Sequence, residues 1–253
     1  YKRQILITPG GKSIIFYTLL MFGEPGAEII TPDPGFIAYK SMIDYTGATA
    51  IPLPHRMENN FSFDADELIS LINDKTKLIW IETPTNPMMN IIDVKSIVEV
   101  AKTKRIKVAV DNTFATPYLQ RPLELGADIV MHSVTKYLGG HSDIVMGALV
   151  TNDESLAEEM YRIQNSSGAV CGPMDSFLVL RGVKTLHLRV QRHCENGEKV
   201  AHFLHNNPQV DQVYWPGFTT HPNHEVAKEQ MNGFGGMISF TLVGDSLDKA
   251  KSI

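Results

Sequence analysis

The sequence predicts an α/β fold, a mostly parallel sheet covered by helices, followed by the start of a smaller α+β region. Three observations predict it. Short apolar runs alternate with stretches of helical periodicity from Gln4 to Gln164, the pattern of parallel strands joined by crossover helices. Two of those runs stop abruptly at polar residues: Lys107–Asp111 ends on a carboxylate, and Asp128–Ser133 runs into Ser133, Thr135 and Lys136. After a long helical passage, Pro173–Phe203, the rhythm changes to strand-like text with Pro- and Gly-containing loops.

In chain order, Gln4–Thr8 reads as a strand, followed by the turn Pro9-Gly10-Gly11-Lys12-Ser13 and an apolar helical run to Phe22. A strand, a glycine turn and a helix start make an anion site, because free N–H groups and the helix dipole point at the ligand; an ordinary tight turn is the plainer reading. The nucleotide-loop pattern is rejected, since Leu6 stands where it requires glycine. Ala27–Thr31 reads as a strand, Pro32–Phe36 as a turn, Ile37–Tyr45 as a helix and Thr49–Leu53 as a strand. Asp64 caps a helix to Ile72. Lys77–Glu82 is a buried strand ending in Thr83-Pro84-Thr85-Asn86-Pro87, and Val94–Lys104 a helix. One brief helical connection joins Asp111 to Asp128, then Val145–Thr151 is a strand and Glu154–Gln164 a helix. Val210–Trp215 and Met237–Val243 are strand-like. The hinge falls on the passage Pro173–Phe203, giving a large domain over 1–190 and a linking helix with a partial carboxyl-terminal domain over 191–253.

Composition narrows the partners. The net charge of −5 without a basic block argues against nucleic acid. Crossing a bilayer takes ~20 consecutive apolar residues, and the run Ile14–Phe22 is far shorter, so no membrane partner is expected. Two cysteines, Cys171 and Cys194, form no disulfide framework and read as buried thiols of a cytoplasmic protein. His221, His224 and Glu225 look metal-like, but they sit in a predicted loop with no further ligands nearby in sequence.

Open α/β sheets bind ligands at the carboxyl ends of their strands, which turns Asp111 and Lys136 toward one crevice. A cofactor needing an acid at one end and an imine-forming amine at the other fits them. Pyridoxal 5'-phosphate is such a cofactor. The bland alternatives are a surface lysine and a strand-ending Asp, and Ser133 and Thr135 would then serve a turn.

The segments ETPTNP, DNTF, SVTKYLGGHSD and RGVKTLHLR resemble the cystathionine γ-synthase/γ-lyase family of pyridoxal-phosphate enzymes, from about Lys77 onward. Residues 1 to about 76, with TPGGKSIIFYTLL, GAEIITPDPGF and FSFDADEL, resemble instead a fold-type I aminotransferase. The chain thus reads as a hybrid of two related enzymes or a divergent member, its seam near Thr76–Trp80. Both groups share the fold-type I scaffold and the cofactor.

The resemblance implies that Lys136 carries the cofactor as a Schiff base and shuttles protons, while Asp111 keeps the pyridinium nitrogen protonated. It implies that Ser133, Thr135 and the turn Gly10, Gly11, Lys12 cradle the phosphate. Phe36 would stack on the ring, where the cystathionine family prefers tyrosine; Asn86 would lie near the ring hydroxyl, with Glu82 a weaker second. The implied activity is γ-elimination or γ-replacement on cystathionine or a related sulfur amino acid, with β-elimination as neighbour. An aminotransferase and an inactive cofactor-binding scaffold are the alternatives. The implied assembly is a homo-oligomer, a dimer of dimers. In the family an amino-terminal arm and a carboxyl-terminal arginine complete the site, and this sequence begins at Tyr1 without either. The 253-residue chain is therefore expected to form at least a dimer and bind cofactor, yet to process cystathionine slowly or not at all, while a wider polypeptide of which it is an excerpt should be active.

Overall fold

The computed structural model describes residues 4–244 and 250–251. Seven strands form one sheet: β1 (Ile5–Pro9), β2 (Glu28–Asp33), β3 (Thr49–Pro54), β4 (Thr76–Glu82), β5 (Lys107–Asp111), β6 (Ile129–Ser133) and β7 (Met146–Val150), in the order β1-β7-β6-β5-β4-β2-β3. The five strands from β6 to β3 run parallel, and β7 is antiparallel to both its neighbours. Parallel pairing needs crossovers, supplied by α1 (Gly11–Phe22), α2 (Ala38–Thr46), α3 (Ala65–Leu71), α4 (Val94–Thr103) and the single turn α5 (Thr116–Leu119). Asp64 caps α3 by accepting from Asp66 N–H and Glu67 N–H. Asp93 does the same for α4, and Asp153 for α6 (Glu154–Ser167).

Side-chain alternation splits the core into two layers. In β4, Leu78 and Trp80 face one cluster, with Ile14, Leu19, Tyr39 and Met131. Ile79 and Ile81 face the other, with Val98, Val108 and Val110. Strand residues two apart share a face, so Glu82 continues the row of Trp80, and Asp111 the row of Ala109. Both carboxylates therefore come out on the α1 side of the sheet, at its carboxyl edge.

The structure differs from the sequence expectations in three places. Strand β2 continues through Pro32 to Asp33, where a turn was expected, because β3 pairs with it as far as Asp33↔Pro54. The passage 173–203 is broken at Lys184 and Thr185 into α7 (Pro173–Val183) and α8 (Leu186–His205). The histidine-rich loop contains a helix, α9 (His224–Gln230), packed through buried Ala227 beside Leu186 and Val190. Beyond α8, β8 (Val210–Tyr214) and β9 (Ser239–Leu242) pair antiparallel in a sheet of their own. No helix among the described residues is long and apolar enough to cross a membrane.

His132 on β6 is buried, and its Nδ1 has no hydrogen-bond partner. Burial pushes it down to about 4 from 6.5. The unfolded chain takes up a proton below about pH 6.5 that the folded chain refuses until about pH 4, so stability is lost as pH falls through that window. The shift corresponds to about 3 kcal/mol. His132→Phe should lose correspondingly less stability than the parent between neutral pH and about pH 4.5, measured by chemical denaturation. Parallel loss in both proteins would refute this.

Candidate active site

Strands β4, β5 and β6 end side by side, with Glu82 opposite Asp111 and Asp111 opposite Met131. Thr113 ties the second and third ends together. Its N–H and its hydroxyl donate to Asp111 Oδ1, at 3.0 and 2.6 Å, and its hydroxyl accepts from Ser133 N–H at 2.8 Å. The Asp-x-Thr spacing in DNTF is the local signal for this turn. Asn86 N–H donates to Glu82 Oε1 at 3.1 Å.

Both acids are half-buried and pushed upward. Burial is the larger cause in each; it moves Asp111 up to about 6, while Thr113's hydrogen bonds pull the other way. Glu82 moves up to about 8, with the charge of Asp111 adding to the desolvation. Tyr39 lies within reach of their charge. Its hydroxyl accepts from Trp80 Nε1–H at 3.0 Å, and its pKa is raised by burial and then by Asp111 and Glu82. Among the described residues no cation pairs with either acid. Two neighbouring carboxylates without a counter-ion form a site that lacks positive charge, and a protonated ring nitrogen would supply it.

The anion end lies at the start of α1. A Cβ on Gly11 would stand 3.7 Å from Ser133 Oγ and 3.4 Å from Met131 Cε, so the helix amino terminus and the end of β6 share one cradle. Gly147 makes room for this turn, since a Cβ there would fall 2.6 Å from Gly10 O. Gly10 itself has φ 82, which favours glycine. The residues thus fit the cofactor at both ends: free N–H groups and a hydroxyl for a phosphate, buried acids for a cationic ring.

The remaining candidates are arranged as follows. Lys136 is exposed on the turn after β6. The Thr135 hydroxyl donates to Met146 O and accepts from Met146 N–H; it anchors the loop, and donating to a phosphate would mean releasing Met146 O. Lys12 is exposed, its Nζ 6.0 Å from the centroid of the Phe36 ring. Phe36, Glu82 and Asn86 line a cleft of about 440 Å³ with His55, Phe61 and Met88. Glu82 joins that cleft to the acid pair. Tyr39 and Thr113 were not singled out in the sequence; Tyr39 could have been noticed as an aromatic one helical turn after Phe36.

The groups set aside have structural partners. His221 Nε2 meets Met89 O, and His224 Nδ1 meets Pro216 O. Cys171 and Cys194 are free and half-buried, with burial raising both thiols. Among the described residues no three His, Cys, Asp or Glu cluster to hold a metal.

Comparison with known proteins shows the family. The sequence profile of the Cys/Met metabolism PLP-dependent enzymes matches residues 2–253, running across the seam expected near Thr76–Trp80. The cystathionine gamma-synthase of Mycobacterium tuberculosis (strain ATCC 25618 / H37Rv) is 50% identical over 218 residues, covering 85% of this chain and 55% of that protein. The cystathionine beta-lyase of Lactococcus lactis subsp. cremoris (strain MG1363) is 53% identical over 184 residues, 73% of this chain and 48% of that protein. The crystal structure of metB from Corynebacterium glutamicum superposes with a TM-score of 0.89 at 39% identity, over 95% of this chain and 62% of that one. The chain spans about half the length of the curated relatives it matches. With acids, glycine turn and lysine placed on this sheet, and the profile covering nearly every residue, the chain belongs to the family of Cys/Met metabolism enzymes whose cofactor is pyridoxal 5'-phosphate.

Proposed function

We propose that this protein performs trans-sulfuration chemistry, γ-elimination or γ-replacement on cystathionine or a related sulfur amino acid. The observation that carries the reading is the uncompensated pair Asp111 and Glu82 at adjoining strand ends, one strand from the turn bearing Lys136. When bound, pyridoxal phosphate supplies an electron sink for negative charge at the substrate Cα.

The chain's residues divide the remaining work. Asp111, oriented by Thr113, would hold a proton on the ring nitrogen. The backbone of Gly10, Gly11 and Lys12, with the Ser133 hydroxyl, would bind the phosphate at the helix start, and Thr135 would join them only on releasing Met146 O. Phe36 would offer the ring an apolar surface without a hydroxyl, and Asn86, in the same cleft, would offer it a polar group. The Lys136 amine would hold the cofactor and, once freed, move protons at the substrate: one from Cα, a second from Cβ so that the γ-sulfur can leave, and one to the departing sulfur.

A second reading, β-elimination, is favoured by the relative named cystathionine beta-lyase at 53% identity. The products separate the two. Cysteine with 2-oxobutanoate from cystathionine marks γ-cleavage, homocysteine with pyruvate marks β-cleavage, and an oxo acid without free thiol marks transamination. The expected result is thiol release with the γ-products. No product in any channel, from protein loaded with cofactor, would leave a binding scaffold and overturn the proposal.

Assembly as a dimer of dimers belongs to the same reading. On α7, Met174, Phe177 and Leu180 are all exposed at three-residue intervals, an apolar stripe suited to a second copy of the chain. The two free thiols fit a reducing cytoplasm. A mass measurement in solution tests the assembly, and a monomer at micromolar concentration would sink it.

A further inference from the structure

The turn that bears Lys136 is held from behind by one arginine. Lys136 N–H donates to Ser133 O at 3.1 Å, Gly139 N–H to Val134 O at 2.8 Å and Gly140 N–H to Lys136 O at 2.8 Å, which closes a compact loop after β6. The loop is pressed against the break between α7 and α8. A Cβ on Gly182 would fall 2.2 Å from Gly139 O, and one on Gly140 would fall 2.2 Å from Arg189 Nη1. Into that contact Arg189 sends three donors. Nη1 donates to Tyr137 O at 2.7 Å, Nη2 to Gly182 O at 3.0 Å and Nε to Thr185 Oγ1 at 3.0 Å.

Each acceptor belongs to a different part of the junction. Tyr137 directly follows Lys136, Gly182 is in the last turn of α7, and Thr185 is the residue just before α8. No carboxylate pairs with Arg189 among the described residues, so its charge is directed at carbonyl and hydroxyl dipoles. Only a planar fork reaches all three; a lysine ammonium is a point charge on a single stem. Farther along α8, His193 meets the Tyr137 ring edge-on at 5.3 Å, and Val190 packs in the same cluster as Tyr137 and Leu138.

We propose that Arg189 is a positioning residue for Lys136: its fork fixes the peptide after the lysine and so sets where the amine stands over the sheet edge. This rests on the reading of Lys136 as the cofactor-binding lysine. Without Nη1, Tyr137 O loses its donor and the turn can rotate about the residues that follow Lys136. Misplacement of a reacting group by about 1 Å can cost on the order of 10²-fold in rate.

The test compares Arg189→Lys and Thr185→Val with the unsubstituted protein, all saturated with pyridoxal phosphate. Three quantities are read: the fraction of cofactor trapped on Lys136 by borohydride as a function of pH, kcat and KM, and thermal stability. In Arg189→Lys the trapping midpoint should move in pH, and kcat should fall on the order of 10- to 100-fold with little change in KM. Thr185→Val, which removes one of the three anchors, should shift both quantities the same way by less. It decides the matter alone if Arg189→Lys does not fold. A role confined to holding the helices together would lower thermal stability and leave the trapping profile and kcat unchanged; that result overturns the proposal. Absence of trapped cofactor on Lys136 in the unsubstituted protein would overturn the reading beneath it, and the inference with it.

Discussion

Lys136→Ala is expected to abolish covalent capture of pyridoxal phosphate and to lower turnover on the order of 10³-fold or more, since one amine serves as both nucleophile and proton carrier. Lys136 is exposed and its side chain makes no hydrogen bond or ion pair among the described residues. The substitution therefore removes chemistry and not packing, and the cofactor-free protein should keep its stability to within about 0.5 kcal/mol. Loss of the visible absorbance of the lysine-bound cofactor, with no adduct on peptide mapping after borohydride reduction, checks the first part; thermal denaturation checks the second. A reducible adduct surviving on another lysine would make the assignment wrong.

Asp111→Asn should separate catalysis from binding. The amide oxygen can still accept from Thr113, so the turn keeps its shape, and the phosphate cradle at Gly11 and Ser133 lies beyond the change. A neutral amide cannot hold a proton on the ring nitrogen, so turnover should fall on the order of 10²-fold or more, with a much smaller loss of cofactor affinity. The cofactor-free protein should respond in the opposite direction. Burial raises Asp111 from 3.8 to about 6, so the folded state holds its proton more tightly than the unfolded state does, and stability declines as pH rises through that window. Above it the charge costs about 2 kcal/mol, less than the full shift implies because the strand end is still partly wetted. Asp111→Asn escapes that cost and should melt no lower than the parent at about pH 8. Equal losses of affinity and turnover, with a lower melting temperature, would make Asp111 a structural residue.

Much of the sheet was readable because β-strands and helices write their periods locally. Lys77–Glu82 alternates across two core layers, and Asp64, standing before a helical run, accepts two backbone N–H groups as its position implies. Misread elements are those whose limits depend on distant partners. Pro32 resembles a turn residue until β3 pairs beside it. Helix α9 carries too little apolar periodicity of its own, and it stands on contacts of Gln230 with Ile92 O and of Asn223 with Ile91 O. The likeness of the first 76 residues to an aminotransferase is local as well, while the family profile takes in residues 2–253.

The sequence by itself determined that an acid and a lysine stand at the ends of neighbouring strands, because the apolar runs stop at Asp111 and just before Lys136. It also marked the glycine turn at the start of α1, through Gly10 and Gly11. Only the tertiary structure decided that Glu82 adjoins Asp111, so that two desolvated acids, without a counter-ion among the described residues, are pushed toward the protonated form. The same holds for the engagement of the Thr135 hydroxyl with Met146 and for the reach of Arg189 back to Tyr137. The reason is physical. Periodicity and turn chemistry act over a few residues, whereas desolvation, like-charge repulsion and hydrogen-bond competition depend on distances between segments tens of residues apart, and those distances exist only once the sheet has closed around them.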